Sequence, residues 1–170
     1  MPQWLNQVHG QDIARLPANE SVSNADAAIT RESGMVCAVM TADCLPVLFC
    51  SDDGQEVAAA HAGWRGLCNG VLEKTLAQFH CPAHHIHAWL GPAIGPQAFE
   101  VGAEVRTAFM AQDAQADAAF RPVGDKYFAD IWQLARQRLE AAGVRSISGS
   151  PRCTYTESAN FFSFRRDGIT

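Results

Sequence analysis

His9, Cys44 and His61 are the residues of this sequence whose types and settings could do chemistry together. Each closes an apolar run. His9 ends Trp4–Val8 and precedes Gly10, Cys44 follows the run that starts at Val36, and His61 ends Glu56–His61. In sheets covered by helices, functional groups gather beyond strand ends, where loops converge. Two imidazoles and a thiolate meeting there make a borderline-soft donor set that suits zinc, with a fourth position left for water. The spacing is much wider than in a zinc finger. Each residue also has a plainer reading: His9 in a turn, Cys44 as a small buried side chain, His61 as a hydrogen-bonded core histidine.

The neighbours extend the pattern. Gly63 and Gly66 flank Trp64-Arg65, where a helix should begin. Glycines allow a close backbone approach, a helix start favours an anion, and Arg65 could clamp phosphate or carboxylate. A solvated surface charge is the alternative for Arg65. Asp43, beside Cys44, could orient a ligand or accept a proton; it could equally shape a turn. A denser cluster, His80-Cys81-Pro82-Ala83-His84-His85-Ile86-His87, falls between a helix and a strand and reads as a solvated connection. Cys153 reads as packed.

These residues need a frame to position them. Val36–Met40 and Pro46–Cys50 are short apolar runs that predict core strands, with the turn Thr41–Leu45 between them. In that turn Cys44 leaves the apolar layer and Pro46 fixes the exit. Glu56–His61 predicts another strand, after the turn residues Ser51-Asp52-Asp53-Gly54. Leu67, Val71, Leu72, Leu76 and Phe79 keep helical spacing, so a helix should follow Gly66 and run to about Phe79. Ile86–Leu90 predicts a strand, and Val105 with Phe109 a helix over 102–111. Asp130 to Ala142 is the best helix, with an N-cap at Asp130, a stop at Gly143 and one apolar face. Val144–Ser148 and Phe161–Arg165 complete the predicted strands. The intermixed elements imply the α/β class: a single domain of mixed β-sheet layers flanked by helices.

Composition narrows the function classes. The chain has 170 residues, 48% hydrophobic and 18% charged, an ordinary balance for one folded unit. A net charge of −5, with Arg165-Arg166 as its one basic pair, argues against nucleic acid as a partner. No apolar run reaches the length of a membrane span, and MPQWLNQVHG has neither a charged leader nor an apolar signal core, so a cytoplasmic location is expected. The six cysteines form no Cys-x-x-Cys pair and are expected to be reduced.

Six motifs occur in order: Gln7-Val8-His9-Gly10, Asp26-Ala27, Thr41-Ala42-Asp43-Cys44-Leu45-Pro46-Val47, His61-Ala62-Gly63-Trp64-Arg65-Gly66, Gly91-Pro92-Ala93-Ile94-Gly95 and Cys153-Thr154-Tyr155. One such motif is weak; six in register are specific. Together they resemble the laccase-domain family, also called multicopper polyphenol oxidase-like proteins, over nearly the whole chain. The resemblance implies a single metal, usually zinc, on His9, Cys44 and His61. It implies purine nucleoside and phosphate as small-molecule partners. Family members are described as enzymes that phosphorolyse adenosine, inosine, guanosine and methylthioadenosine and deaminate adenosine. Some carry a copper-dependent polyphenol oxidase description, and the enterobacterial branch a role in editing peptidoglycan precursors. Members have further residues before the QVHG motif and after Arg-Arg-Asp. Only six residues precede Gln7 here and the sequence stops at Thr170, so the usual N-terminal segment and final strand are expected to be missing.

The catalytic candidates are then Asp43, Cys44 and Arg65. In deamination a metal would make a water nucleophilic toward C6, with Asp43 transferring the proton. In phosphorolysis Arg65 and the helix start would balance the phosphate as it approaches C1′. Copper chemistry of the full laccase type needs about ten histidines; six are present, with one His-x-His pair at His85 and His87. A single copper in place of zinc stays open. So do a metal-free route, with Cys44 as nucleophile and His61 or His9 as base, and a binding module without turnover. The sequence leaves the oligomeric state unspecified.

Overall fold

A computed structural model describes residues 1–21, 24–149 and 151–169; Val22, Ser23, Ser150 and Thr170 lie outside the described residues. Among the described residues, nine strands form two sheets. The larger contains β1 (Ile13–Leu16), β2 (Ala27–Thr30), β3 (Leu45–Ser51), β4 (Val57–Ala62), β5 (Ile86–Leu90) and β9 (Ser146–Gly149), in the order β1-β2-β4-β3-β5-β9. The two outer pairs are parallel and the inner pairs antiparallel, so the sheet is mixed. The smaller antiparallel sheet holds β6 (Glu100–Val101), β8 (Lys126–Ala129) and β7 (Phe120–Val123). The expected α/β class, mixed sheet layers flanked by helices, is what the chain adopts.

Alternation explains which face of the large sheet is covered. In β3, Leu45, Val47 and Phe49 point to the core while Leu48 faces out; in β5, Ile86, Ala88 and Leu90 are buried while Trp89 is exposed. The inner residues pack under α1 (Trp64–Asn69), α2 (Val71–Ala77) and α4 (Ile131–Ala141). Next to them, α3 (Ala103–Met110) buries Val105 and Phe109. In β2 and β4 alanine dominates, at Ala27, Ala28, Ala58, Ala59 and Ala60, which lets layers approach closely on both sides.

The expected helix over 67–79 is two helices. Gly70 adopts φ 99°, a left-handed conformation that caps α1 and starts α2. The first of them begins at Trp64 rather than after Gly66. The expected strand Val36–Met40 is absent. That segment crosses the second face of the sheet, where Cys37 and Val39 pack on a small cluster of Leu5, Leu16, Ala25 and Ala28. A side chain replaces its ladder partner: Gln7 Nε2 donates to Met40 O at 2.7 Å and Met40 N donates to Gln7 Oε1 at 2.8 Å. Phe161–Arg165 is likewise not a strand. Ser163 Oγ accepts from Arg166 N at 3.2 Å and starts a single helical turn, α5 (Phe164–Asp167), which Gly168 ends at φ 73°. The run Trp4–Val8 is also irregular; one isolated bridge, Asn6 to Asn24, ties it down. No helix among the described residues is long and apolar enough to cross a membrane.

The Asp130 cap is realised: its Oδ1 accepts from Gln133 N at 3.0 Å. Replacing Asp130 with Ala should cost about 1 kcal/mol and lower Tm by about 2–4 °C, read from thermal unfolding by circular dichroism. An unchanged Tm would show that α4 starts without that bond.

Candidate metal centre

Asp26 heads the buried run Asp26–Thr30 and organises the site from inside the protein; its side chain is fully buried. Oδ1 accepts the backbone N–H of Val8 at 3.1 Å and of Gly10 at 2.9 Å, and Oδ2 accepts that of His9 at 3.0 Å. Three consecutive amides wrapped on one carboxylate hold His9 at φ 59°, a conformation that side chains other than glycine rarely adopt. Oδ2 also lies 2.7 Å from His61 Nδ1. With Nδ1–H donated there, the lone pair of His61 is on Nε2, the arrangement in which a carboxylate orients an imidazole toward a metal. The rings of His9 and His61 stand 4.9 Å apart at 72°.

Charge follows from the same contacts. Burial by itself would raise the Asp26 carboxyl. The hydrogen bonds from His61 and from the Gly10 and Val8 amides outweigh it and hold Asp26 below its ordinary value. Burial depresses His61 by more than Asp26 raises it. The pair is therefore a carboxylate and a neutral imidazole, the protonation state that a ligand set requires.

Cys44 comes from the loop before β3. Asp43, at φ 92°, turns the chain there. Both oxygens of its buried carboxylate are engaged: Oδ1 accepts from Thr154 Oγ1 and Oδ2 from Arg165 N, each at 2.7 Å. Pro46 does not end a strand but sits inside β3, opposite His61, and its carbonyl accepts Gly91 N at 2.9 Å. One ligand atom from each of His9, Cys44 and His61 lies within 4.8 Å of the others, the one such His/Cys/Asp/Glu group among the described residues. A tetrahedral ion with bonds of 2.0–2.3 Å holds its donors roughly 3.5 Å apart. Two nitrogens and a sulfur gathered this closely fit a single zinc or copper ion. Burial first, then the charges of Asp43 and Asp26, push the Cys44 thiol up to about 11. That is the wrong direction for a free catalytic nucleophile and the right setting for a thiol that ionises only onto a cation.

Glycines make the convergence possible. A Cβ on Gly63 would stand 3.0 Å from Cys44 Sγ and 3.2 Å from the His9 ring, and one on Gly66 would lie 2.8 Å from Gly10 O. The glycines flanking Trp64-Arg65 thus make room for the ligand loops; they lie at the start of α1, not in a free loop. Arg65 is exposed, stacks over the Trp64 ring at 4.7 Å and lines the cavity. That cavity, about 490 Å³, is lined by the three ligands and Asp43 together with apolar Ile94, Phe99, Ile131 and Phe164.

The dense histidine cluster disperses. His85 Nδ1 is 3.0 Å from Asp52 Oδ2, His80 Nδ1 is 3.3 Å from Glu56 Oε2, and His87 bonds Ser146 and Ser148. Cys153 Sγ accepts from Gly95 N at 3.2 Å and does not line the cavity. Asp26 and Arg165 support or line the site without having been assigned a role from sequence. A charged residue heading the apolar run Asp26–Thr30 was the available sign for the first.

A mixed α/β sheet gathers two imidazoles and a thiol at its rim, beside a cavity with several apolar walls, in an arrangement that could hold a metal ion. The chain belongs to the family described as multi-copper polyphenol oxidoreductase laccase, whose model matches residues 2–170. It is 64% identical over 170 residues to a protein of Escherichia coli (strain K12) named purine nucleoside phosphorylase YfiH, covering 99% of this chain and 70% of that one. A Pseudomonas aeruginosa relative, purine nucleoside phosphorylase PA4543, is 50% identical with the same coverage. The crystal structure of Neisseria meningitidis protein NMB0706 matches with a TM-score of 0.93 at 45% identity, covering 98% of this chain and 70% of that one.

Two outcomes are expected from this geometry. Asp26→Asn should weaken zinc binding by about 10- to 100-fold in a chelator competition, with Cys44→Ala as the reference for a lost ligand. Unchanged affinity would mean that the Asp26–His61 bond does not serve the metal. In chelated protein, only the small thiolate fraction of Cys44 reacts with iodoacetamide at pH 7. Labelling should rise about tenfold per pH unit toward 11; fast labelling at pH 7 would contradict the buried, thiol-form cysteine.

Proposed function

We propose that the protein is a zinc-dependent purine nucleoside phosphorylase. The observation that carries the reading is the convergence of His9, Cys44 and His61 on one cavity, in a chain 64% identical to a protein named for that activity. When bound, the ion supplies Lewis-acid charge at the polar part of the cavity. The chain's own groups do the rest. His61, held by Asp26, keeps a neutral donor nitrogen in place. The exposed Arg65 guanidinium offers a bidentate partner to phosphate entering from solvent. Asp43, in the cavity wall beside Cys44, takes a proton from the attacking phosphate and passes it to the purine, which leaves as the free base when the C1′–N9 bond breaks. Adenosine, inosine, guanosine and methylthioadenosine share the ribose C1′ that phosphate attacks. Deamination of adenosine would use the same cavity with C6 turned toward the ligands.

The test supplies each nucleoside to zinc-loaded protein with and without phosphate and measures free base, ribose 1-phosphate and inosine. Phosphate-dependent base release is expected. Arg65→Ala should raise the phosphate KM by about tenfold, the loss of one charge-assisted contact of about 1.4 kcal/mol. No conversion of any nucleoside by metal-loaded protein would reject the reading.

A second reading has one observation in its favour: two histidines and a cysteine are also the donor set of a blue copper site. It predicts copper-proportional phenol oxidation at a single ion. A third reading is a Cys/His or zinc hydrolase editing peptidoglycan precursors; the raised Cys44 thiol speaks against its metal-free form.

A further inference from the structure

An exposed aromatic residue stands on an elaborately built support. Phe164 is 60% exposed and lines the cavity. Exposed phenylalanines are ordinary when they ride on mobile loops, but this one does not. Its neighbour Ser163 is completely buried and caps the turn that carries it. The peptide that follows it is pinned, with Arg165 N donating to Asp43 Oδ2 at 2.7 Å. Arg165 Nη1 donates to Glu100 O at 2.7 Å, and its guanidinium lies over the Phe99 ring. Arg166 gathers the carbonyls of Thr154, Tyr155 and Phe161 at 2.9, 2.9 and 3.0 Å. A buried serine, a buried aspartate and two arginines thus fix the backbone that carries one aromatic ring, itself largely in water.

The ring is also close to the ligand set in connectivity. One hydrogen bond leads from the Phe164–Arg165 peptide to Asp43, and one peptide bond leads from Asp43 to Cys44. An aromatic side chain on a pinned backbone beside a polar reacting centre is a stacking platform for a flat heteroaromatic ring. We propose that Phe164 is the base-stacking, specificity-determining residue of the cavity. Its face takes the purine ring, and Asp43 acts additionally as the positioning residue that sets the platform relative to the ligands. The larger two-ring face of a purine gains more from this platform than a pyrimidine does. The inference rests on the nucleoside reading above and extends it to the choice of base.

The experiment compares zinc-loaded wild type, Phe164→Ala and Phe164→Tyr, with inosine and uridine as probes. It measures kcat, KM, equilibrium binding and zinc content. Phe164→Ala is expected to raise the inosine KM and Kd by roughly 10- to 100-fold. Zinc content and kcat should change little, and the preference for inosine over uridine should shrink. Phe164→Tyr should restore both affinity and preference, because it restores the ring. Because the side chain is exposed, thermal stability should be that of the wild type. Wild-type KM and base preference in Phe164→Ala would overturn the stacking role alone. Wild-type protein that neither binds nor converts inosine would overturn the nucleoside reading, and the stacking role with it.

Discussion

One buried carboxylate carries the arrangement of the site. Asp26 receives four hydrogen bonds, three from the backbone of residues 8–10 and one from His61. Through them it fixes two candidate ligands that lie 52 positions apart (61 minus 9). A carboxylate in an apolar interior is costly unless its lone pairs are filled, and here the donors that fill them are the groups that must be held in place. Removing the carboxylate would free the His9 loop from its left-handed conformation and leave His61 unconstrained about its ring axis. The metal geometry therefore depends on a residue that would not touch the metal.

Close packing makes room for that arrangement. β2 pairs antiparallel with β4, and Asp26 O accepts His61 N at 2.7 Å just beyond their ladder, while the alanines of both strands let the layers above and below approach. At the rim, Gly63 and Gly66 remove the two side chains that would otherwise collide with Cys44 and with the Gly10 carbonyl. Small residues serve here as a spatial requirement: every Cβ added at these points would push a ligand loop away from its partners.

Strain and support are paired on the Cys44 side. Asp43 at φ 92° costs free energy on the order of 1–3 kcal/mol, in a position where a glycine would sit easily. A glycine would lack the carboxylate that ties Thr154 and Arg165 to the ligand loop. The C-terminal region, more than a hundred residues away in sequence, is thereby joined to the wall of the cavity. The two non-glycine residues with positive φ, among those described, are His9 and Asp43, a ligand and the neighbour of a ligand.

Much of this was legible beforehand, for identifiable reasons. Helix α4 and strand β5 follow from periodicity, because each buries one face, and strand β4 from a short apolar run after turn residues that is buried on both faces. His9, Cys44 and His61 stood out as polar side chains at the limits of apolar runs. Three things were hidden. Val36–Met40 has a strand's composition, but a glutamine side chain supplies its hydrogen bonds, and composition does not reveal a partner 33 positions away. Phe161–Arg165 alternates like a strand, yet a local serine cap outweighed the pattern. Asp26 is an ordinary residue until the chain folds. By itself the sequence determined residue chemistry and local periodicity, which depend only on near neighbours. The meeting of distant groups, and so the orientation of each candidate ligand, was decided by tertiary structure, because it depends on contacts between segments that no local pattern encodes.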